Sequence, residues 1–208
     1  MALGFSTETS SNGGSKFLSP LKFDAKAGDL IVRTREPSAK PGEWDNTDTE
    51  LQFPIKIVFD FENMEIGWIA FTPNYSAVMG KVGTPMPIKP TNDHKQSVRI
   101  KVYLKDYGLR EFSPTSKMVL REIDQLHDAY LAGCDANAGK MPVVTVKGTK
   151  PVKITTPQGE LRFKVPDMVI SGWTEPPAAF SGAAEAPAEQ PKAKPAAKQV
   201  QPDDFEDF

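Results

Sequence analysis

The sequence is poor in the residues that build metal cages and covalent cross-links. Among its 208 residues are one cysteine, Cys134, and two histidines, His94 and His127. A single thiol excludes an intramolecular disulfide, and these three residues cannot fill a four-ligand Cys/His zinc site. No apolar run approaches the ~20 residues that a membrane-spanning helix needs, so no membrane partner is expected. The opening stretch, MALGFSTETSSNGGSK, lacks a basic segment followed by an apolar one, and no secretory signal is expected. Low cysteine use fits a reducing, cytoplasmic setting. There is no Gly-rich loop with a following lysine to cradle phosphates, and no nucleophile motif.

Excess charge is also missing. The net charge is -2, and its distribution is uneven. Beyond Pro176 lie six acids (Glu185, Glu189, Asp203, Asp204, Glu206, Asp207) and three lysines, leaving 22 of the 25 basic and 21 of the 27 acidic residues before them. A body of net +1 binds a polyanion only through a local stripe, not a general field.

Three zones follow from composition. Residues 1–16 are rich in Ser, Thr, Gly and Asn and read as a flexible lead-in. Residues 17–175 hold nearly all the aromatics and the periodic patterns, so they form the domain. Residues 176–202 are dominated by Pro, Ala, Gln and Lys, with Phe180 and Val200 as the only larger apolar side chains. Such a stretch cannot offset its ordering entropy and is expected to be a disordered linker, leading to a tip at residues 203–208.

Within the domain, period-two alternation dominates and predicts a mainly β fold. Phe53, Ile55, Ile57, Phe59 and Phe61 share one strand face, and residues 65–72 return after a turn at 62–64, so 53–72 reads as a hairpin. Val98, Ile100, Val102 and Leu104 line a third strand. Residues 142–155 and 160–171 continue the pattern, and residues 29–35 form an earlier strand. From Pro114 to about Ala132, Val119, Ile123, Leu126 and Tyr130 recur at helical spacing, with Ser113 and Pro114 suited to cap its start and Gly133 near its end. Three strands, a helix and two strands is the element order of the five-stranded OB barrel, with one amphipathic helix between strands 3 and 4. Other small barrels share that spacing. The Pro/Gly-rich stretch 73–95 is too long for an ordinary hairpin loop and is either functional or disordered.

The third strand carries the candidate chemistry. Arg99, Lys101, Tyr103 and Lys105 alternate with its apolar residues and project together from the opposite face, and Tyr107 and Arg110 extend the composition. Cations for phosphates and a ring for base stacking are what a single-strand platform requires. A solvated sheet face has the same composition. Trp68, Phe71 and Tyr75 on the neighbouring segment add rings, although a tryptophan in a strand more often packs inward. Arg33 and Arg35 add cations from the early strand. Trp44 sits in a polar loop.

The end of the chain, Asp203, Asp204, Phe205, Glu206, Asp207 and Phe208, is acidic and aromatic. A solubilising tail explains the acids but not exposed phenylalanines on a tether. A terminal ring and carboxylate suit an apolar pocket rimmed by Arg or Lys on a partner, or the acids fold back over the chain's own basic face. With the body and linker, this tip resembles the single-stranded DNA-binding proteins of bacteria and their phages, the phage members most. Bacterial homotetrameric members have proline before the last phenylalanine, where Asp207 stands here. The resemblance implies an OB-fold body that binds single-stranded DNA without sequence preference and without catalysis or cofactor. It further implies recruitment of replication, recombination and repair proteins through Asp203–Phe208, in a bacterial host's cytoplasm if the chain is phage-encoded. A homo-oligomer fits this reading.

Two other classes compete. One is a non-enzymatic structural or assembly protein with the tail as its docking peptide. The other is a metal-dependent nuclease using Asp60, Glu62 and Glu65 around the hairpin turn, although turn acids are usually only solvated. His127 beside Asp128 is poorly placed for a mutual hydrogen bond, and His94 has no evident partner in sequence.

Overall fold

A computed structural model describes residues 18–38, 44–72, 75–157 and 159–181. It contains ten strands: β1 (Pro20–Asp24), β2 (Asp29–Pro37), β3 (Trp44–Leu51), β4 (Ile55–Phe59), β5 (Glu65–Ala70), β6 (Ser76–Lys81), β7 (Lys95–Leu104), β8 (Gly108–Phe112), β9 (Met141–Thr156) and β10 (Gly159–Thr174). One helix, α1 (Lys117–Cys134), separates β8 from β9. The strand order is β10-β9-β4-β7-β8-β1-β2-β3, with β5 joined to β7 and β6 to β5. The sheet is mixed, because β1 runs parallel to β8 while the other pairs are antiparallel. The fold is therefore mainly β with one helix, as expected. Among the described residues β10 pairs only with β9 and β3 only with β2, so strand pairing leaves the sheet open.

Alternation determines which face is buried. Ile100, Val102 and Leu104 of β7 are at most 1% exposed, and they join Phe59, Phe112, Val144 and Val146 in one core beneath Val119, Ile123 and Leu126 of α1. The helical face was thus legible, but its start was not. The helix begins at Lys117 after Ser116, whose side chain makes no capping bond. The expected cap is engaged elsewhere: the Ser113 hydroxyl donates to Glu111, and the Pro114 carbonyl accepts from Ser97. Gly133 lies inside the helix, where a Cβ would come within 2.8 Å of the Trp173 ring. His127 and Tyr130 complete an aromatic cluster there with Phe61 and Trp173.

Residues 53–72 are not a hairpin. Both β4 and β5 run antiparallel to β7 instead, β4 against Val102–Tyr103 and β5 against Lys95–Arg99. Eight residues of chain from Val58 to Glu65 match only five on β7, from Tyr103 to Arg99, so three residues loop out. Asp60 fixes that loop by accepting hydrogen bonds from the Asn63 backbone and side chain at 3.1 and 2.9 Å. The described part of the stretch 73–95 includes the strand β6, and its Pro87 and Lys89 cover Trp68, whose indole N–H donates to the Pro87 carbonyl at 2.7 Å. His94 is buried, its ring nitrogens 2.8 Å from the Thr91 hydroxyl and 3.3 Å from that of Ser76.

The long β9–β10 hairpin reaches back to the β1–β2 turn. The Lys164 N–H donates to the Ala25 carbonyl, and its Nζ to that of Ala27, both at 2.7 Å. Gly28 permits this clasp: its φ is +87°, and a Cβ would lie 2.3 Å from Lys164 Cδ. Within the stretch expected to be linker from residue 176, Ala178–Ser181 forms a 3-10 turn with Phe180 half-buried. Expectations for residues 1–16, for 182–202 and for the tip 203–208 lie outside the described residues.

Candidate nucleic-acid interface

A groove of about 840 Å³ lies between β1, β2, the start of α1 and the side chains of Phe71 and Tyr75. Four of the eleven residues singled out in the sequence line it: Arg33, Arg35, Phe71 and Tyr75. Phe71 and Tyr75 are 59% and 46% exposed, with ring centroids 6.1 Å apart. Rings held in water beside cations are unusual for a surface built only for solubility. Lys22, Phe23, Asn46 and the segment Ser113–Ser116 also line the groove. Sequence reading missed Lys22 and Phe23 because β1 is only five residues long and opens on proline, which hides any alternation.

The groove's electrostatics are local. Arg33 makes a bidentate pair with Asp48 across the β2–β3 register, its Nε donating to Oδ1 at 2.6 Å. Arg35 lies over the exposed Trp44 ring, 4.8 Å from its centroid. Burial, then repulsion from Arg33, pushes the Lys22 ammonium below its ordinary pKa, and only then does Asp48 pull it back. An anion bound between Lys22 and Arg33 relieves both the lost hydration and the repulsion.

Arg99 holds the groove's wall. Its Nη2 donates to the Tyr75 hydroxyl and its Nη1 to Glu65, each at 3.0 Å, while its Nε lies 3.5 Å from Glu111. Burial disfavours its charge, but Tyr75, Glu111 and Glu65 outweigh that and raise its pKa. Three partners leave this guanidinium little to offer a phosphate. Glu65 is thereby paired, and the Asp60 carboxylate is held by Asn63, so two acids of the nuclease alternative face different partners.

The other selected residues scatter. Lys101 and Lys105 are exposed, and Tyr103 is half-buried on the outer face of β7 beside Lys101. Tyr107 packs against the core instead of extending the stripe. Arg110 stands opposite buried Val102 and two residues from buried Phe112, which turns it to the inner face. Burial lowers its pKa, and its Nη1 donates to the Leu109 carbonyl. The reversal at Asp106–Tyr107 moved it across the sheet. Trp68 is covered by Pro87 and Lys89 and does not line the groove.

Comparison with protein-family models, curated proteins and solved structures finds no match to this chain. Among the described residues no helix is long and apolar enough to cross a membrane.

Proposed function

We propose that this chain is a non-catalytic, sequence-independent single-stranded DNA-binding protein whose binding site is the groove between β1, β2 and the rings of Phe71 and Tyr75. One observation carries the reading. Two exposed rings, Phe71 and Tyr75, share a single groove with Lys22, Arg33 and Arg35, so bases and phosphates are met in the same place. The site differs from the platform expected on the outer face of β7, where Lys101 and Tyr103 become a secondary track. An OB-like body is proposed in a relaxed form, as a curved sheet with one helix over its inner face. The tip Asp203–Phe208 is proposed to recruit replication, recombination or repair proteins.

Fluorescence anisotropy with labelled oligo-dT tests the proposal. Affinity is expected to exceed that for duplex and to fall with salt at a log–log slope of about -0.7 per phosphate contacted. Replacing Phe71 and Tyr75 together by alanine is expected to cost about 1–3 kcal/mol per base stacked, with the far-UV CD spectrum unchanged. Equal affinity for duplex, or no response to salt, defeats the reading.

A further inference from the structure

A second cavity, of about 610 Å³, opens beside the first. The two share Lys22, Phe23, Thr115 and Ser116, so they are contiguous past the start of α1. We infer that a strand bound in the groove continues into this cavity, where Lys22, Lys26 and Lys95 hold its next phosphates. The inference rests on the single-strand reading above and adds two cations that the sequence did not single out.

The cavity exists because of the Lys164 clasp. By tying β10 to the β1–β2 turn, that residue brings Phe163 across from Phe23 and Ile31 and leaves an apolar floor under the lysines. Lys26 and Lys95 are exposed, and among the described residues neither has an ion-pair partner. The one acid in the lining, Asp24, is turned to the backbone. Its Oδ1 accepts from the Lys26 and Ala27 N–H groups at 2.7 and 3.1 Å, and these bonds hold its pKa below the ordinary carboxylate value. Three cations without an ion pair among the described residues, with only Asp24 beside Lys26 and Asp48 near Lys22, stand above two phenylalanines and match the alternation of phosphate and base in a polynucleotide. A compact anion alone would leave the apolar floor unused. Thr115 and Ser116 line both cavities, so their hydroxyls are the nearest side-chain donors where the strand crosses between them.

The test uses the full chain and an oligo-dT of about 16 nucleotides, the upper end of single-domain site sizes. In Lys26→Ala/Lys95→Ala the salt slope is expected to become shallower by about 1.4, two phosphates at ~0.7 each. The melting temperature should stay put, since both side chains are exposed. An unchanged slope in this variant, with Phe71→Ala/Tyr75→Ala still weakening binding, overturns the second cavity and leaves the groove standing. Absence of wild-type binding to oligo-dT overturns both.

Discussion

On the inner face of β7, Ile100, Val102 and Leu104 are sealed beneath α1; on the outer face, Arg99, Lys101 and Tyr103 keep contact with water. The inner residues are interchangeable in kind, since each contributes apolar area and packing to the same core. The outer ones are not. Arg99 is engaged by two acids and a phenol, whereas Lys101 stands opposite Glu111 with no ion pair among the described residues. Alternation fixes the direction of a side chain, but only its neighbours decide whether its charge is available.

The largest expected effect separates the two faces by stability. Phe59→Ala removes a ring that stacks on Phe61 and meets Phe112 edge-on, and should cost about 3–5 kcal/mol in urea unfolding. Lys101→Ala should stay within about 0.5 kcal/mol. A comparable loss in both would mean that the outer face also is packed.

A smaller effect sharpens the contrast within the outer face. Arg99→Gln and Tyr75→Phe remove opposite ends of one hydrogen bond, so their effects on oligo-dT affinity should be non-additive, with a coupling of about 0.5–3 kcal/mol. The salt slope of Arg99→Gln should equal that of the wild type. A slope shallower by about 0.7 would make Arg99 a phosphate contact and not the support of Tyr75.

The smallest effect concerns the Arg33–Asp48 pair, whose side chains are 35% and 41% exposed and whose worth is therefore about 0–1 kcal/mol. The Arg33 hydrogen bond holds the Asp48 carboxyl below its ordinary pKa. A depressed carboxyl contributes stability above its unfolded value and loses it as pH falls through the folded one, so the loss lies below about pH 4. Asp48→Asn should remove that acid-side loss. By removing the acid beside Arg33 and Lys22 it should also tighten oligo-dT binding, read by anisotropy.

The parts of the fold legible in sequence are those where one face is uniformly apolar. Ile100–Leu104, Val144–Val146 and the Val119–Leu126 face carry their burial in their spacing. The strands that escaped notice lack that mark: β3 reads WDNTDTEL and is exposed along nearly its whole length, while β1 and β8 have only five residues each. The supposed hairpin failed because a turn signal states that the chain bends, not with which strand each arm pairs. The same limit governed the site. Arg33, Arg35, Phe71 and Tyr75 were recognisable by type, yet their meeting in one groove depends on β1 pairing in parallel with β8, a long-range event with no local signature.

The Lys164 clasp joins residues 137 positions apart, and this separation orders events during synthesis. The described walls of the groove come from residues 18–119, whereas the second cavity has no Phe163 wall until the C-terminal hairpin has emerged and folded back. A nascent chain stalled before that hairpin carries the groove's lining residues but lacks the passage leading out of it. Completion of the second cavity thus waits on the β9–β10 hairpin.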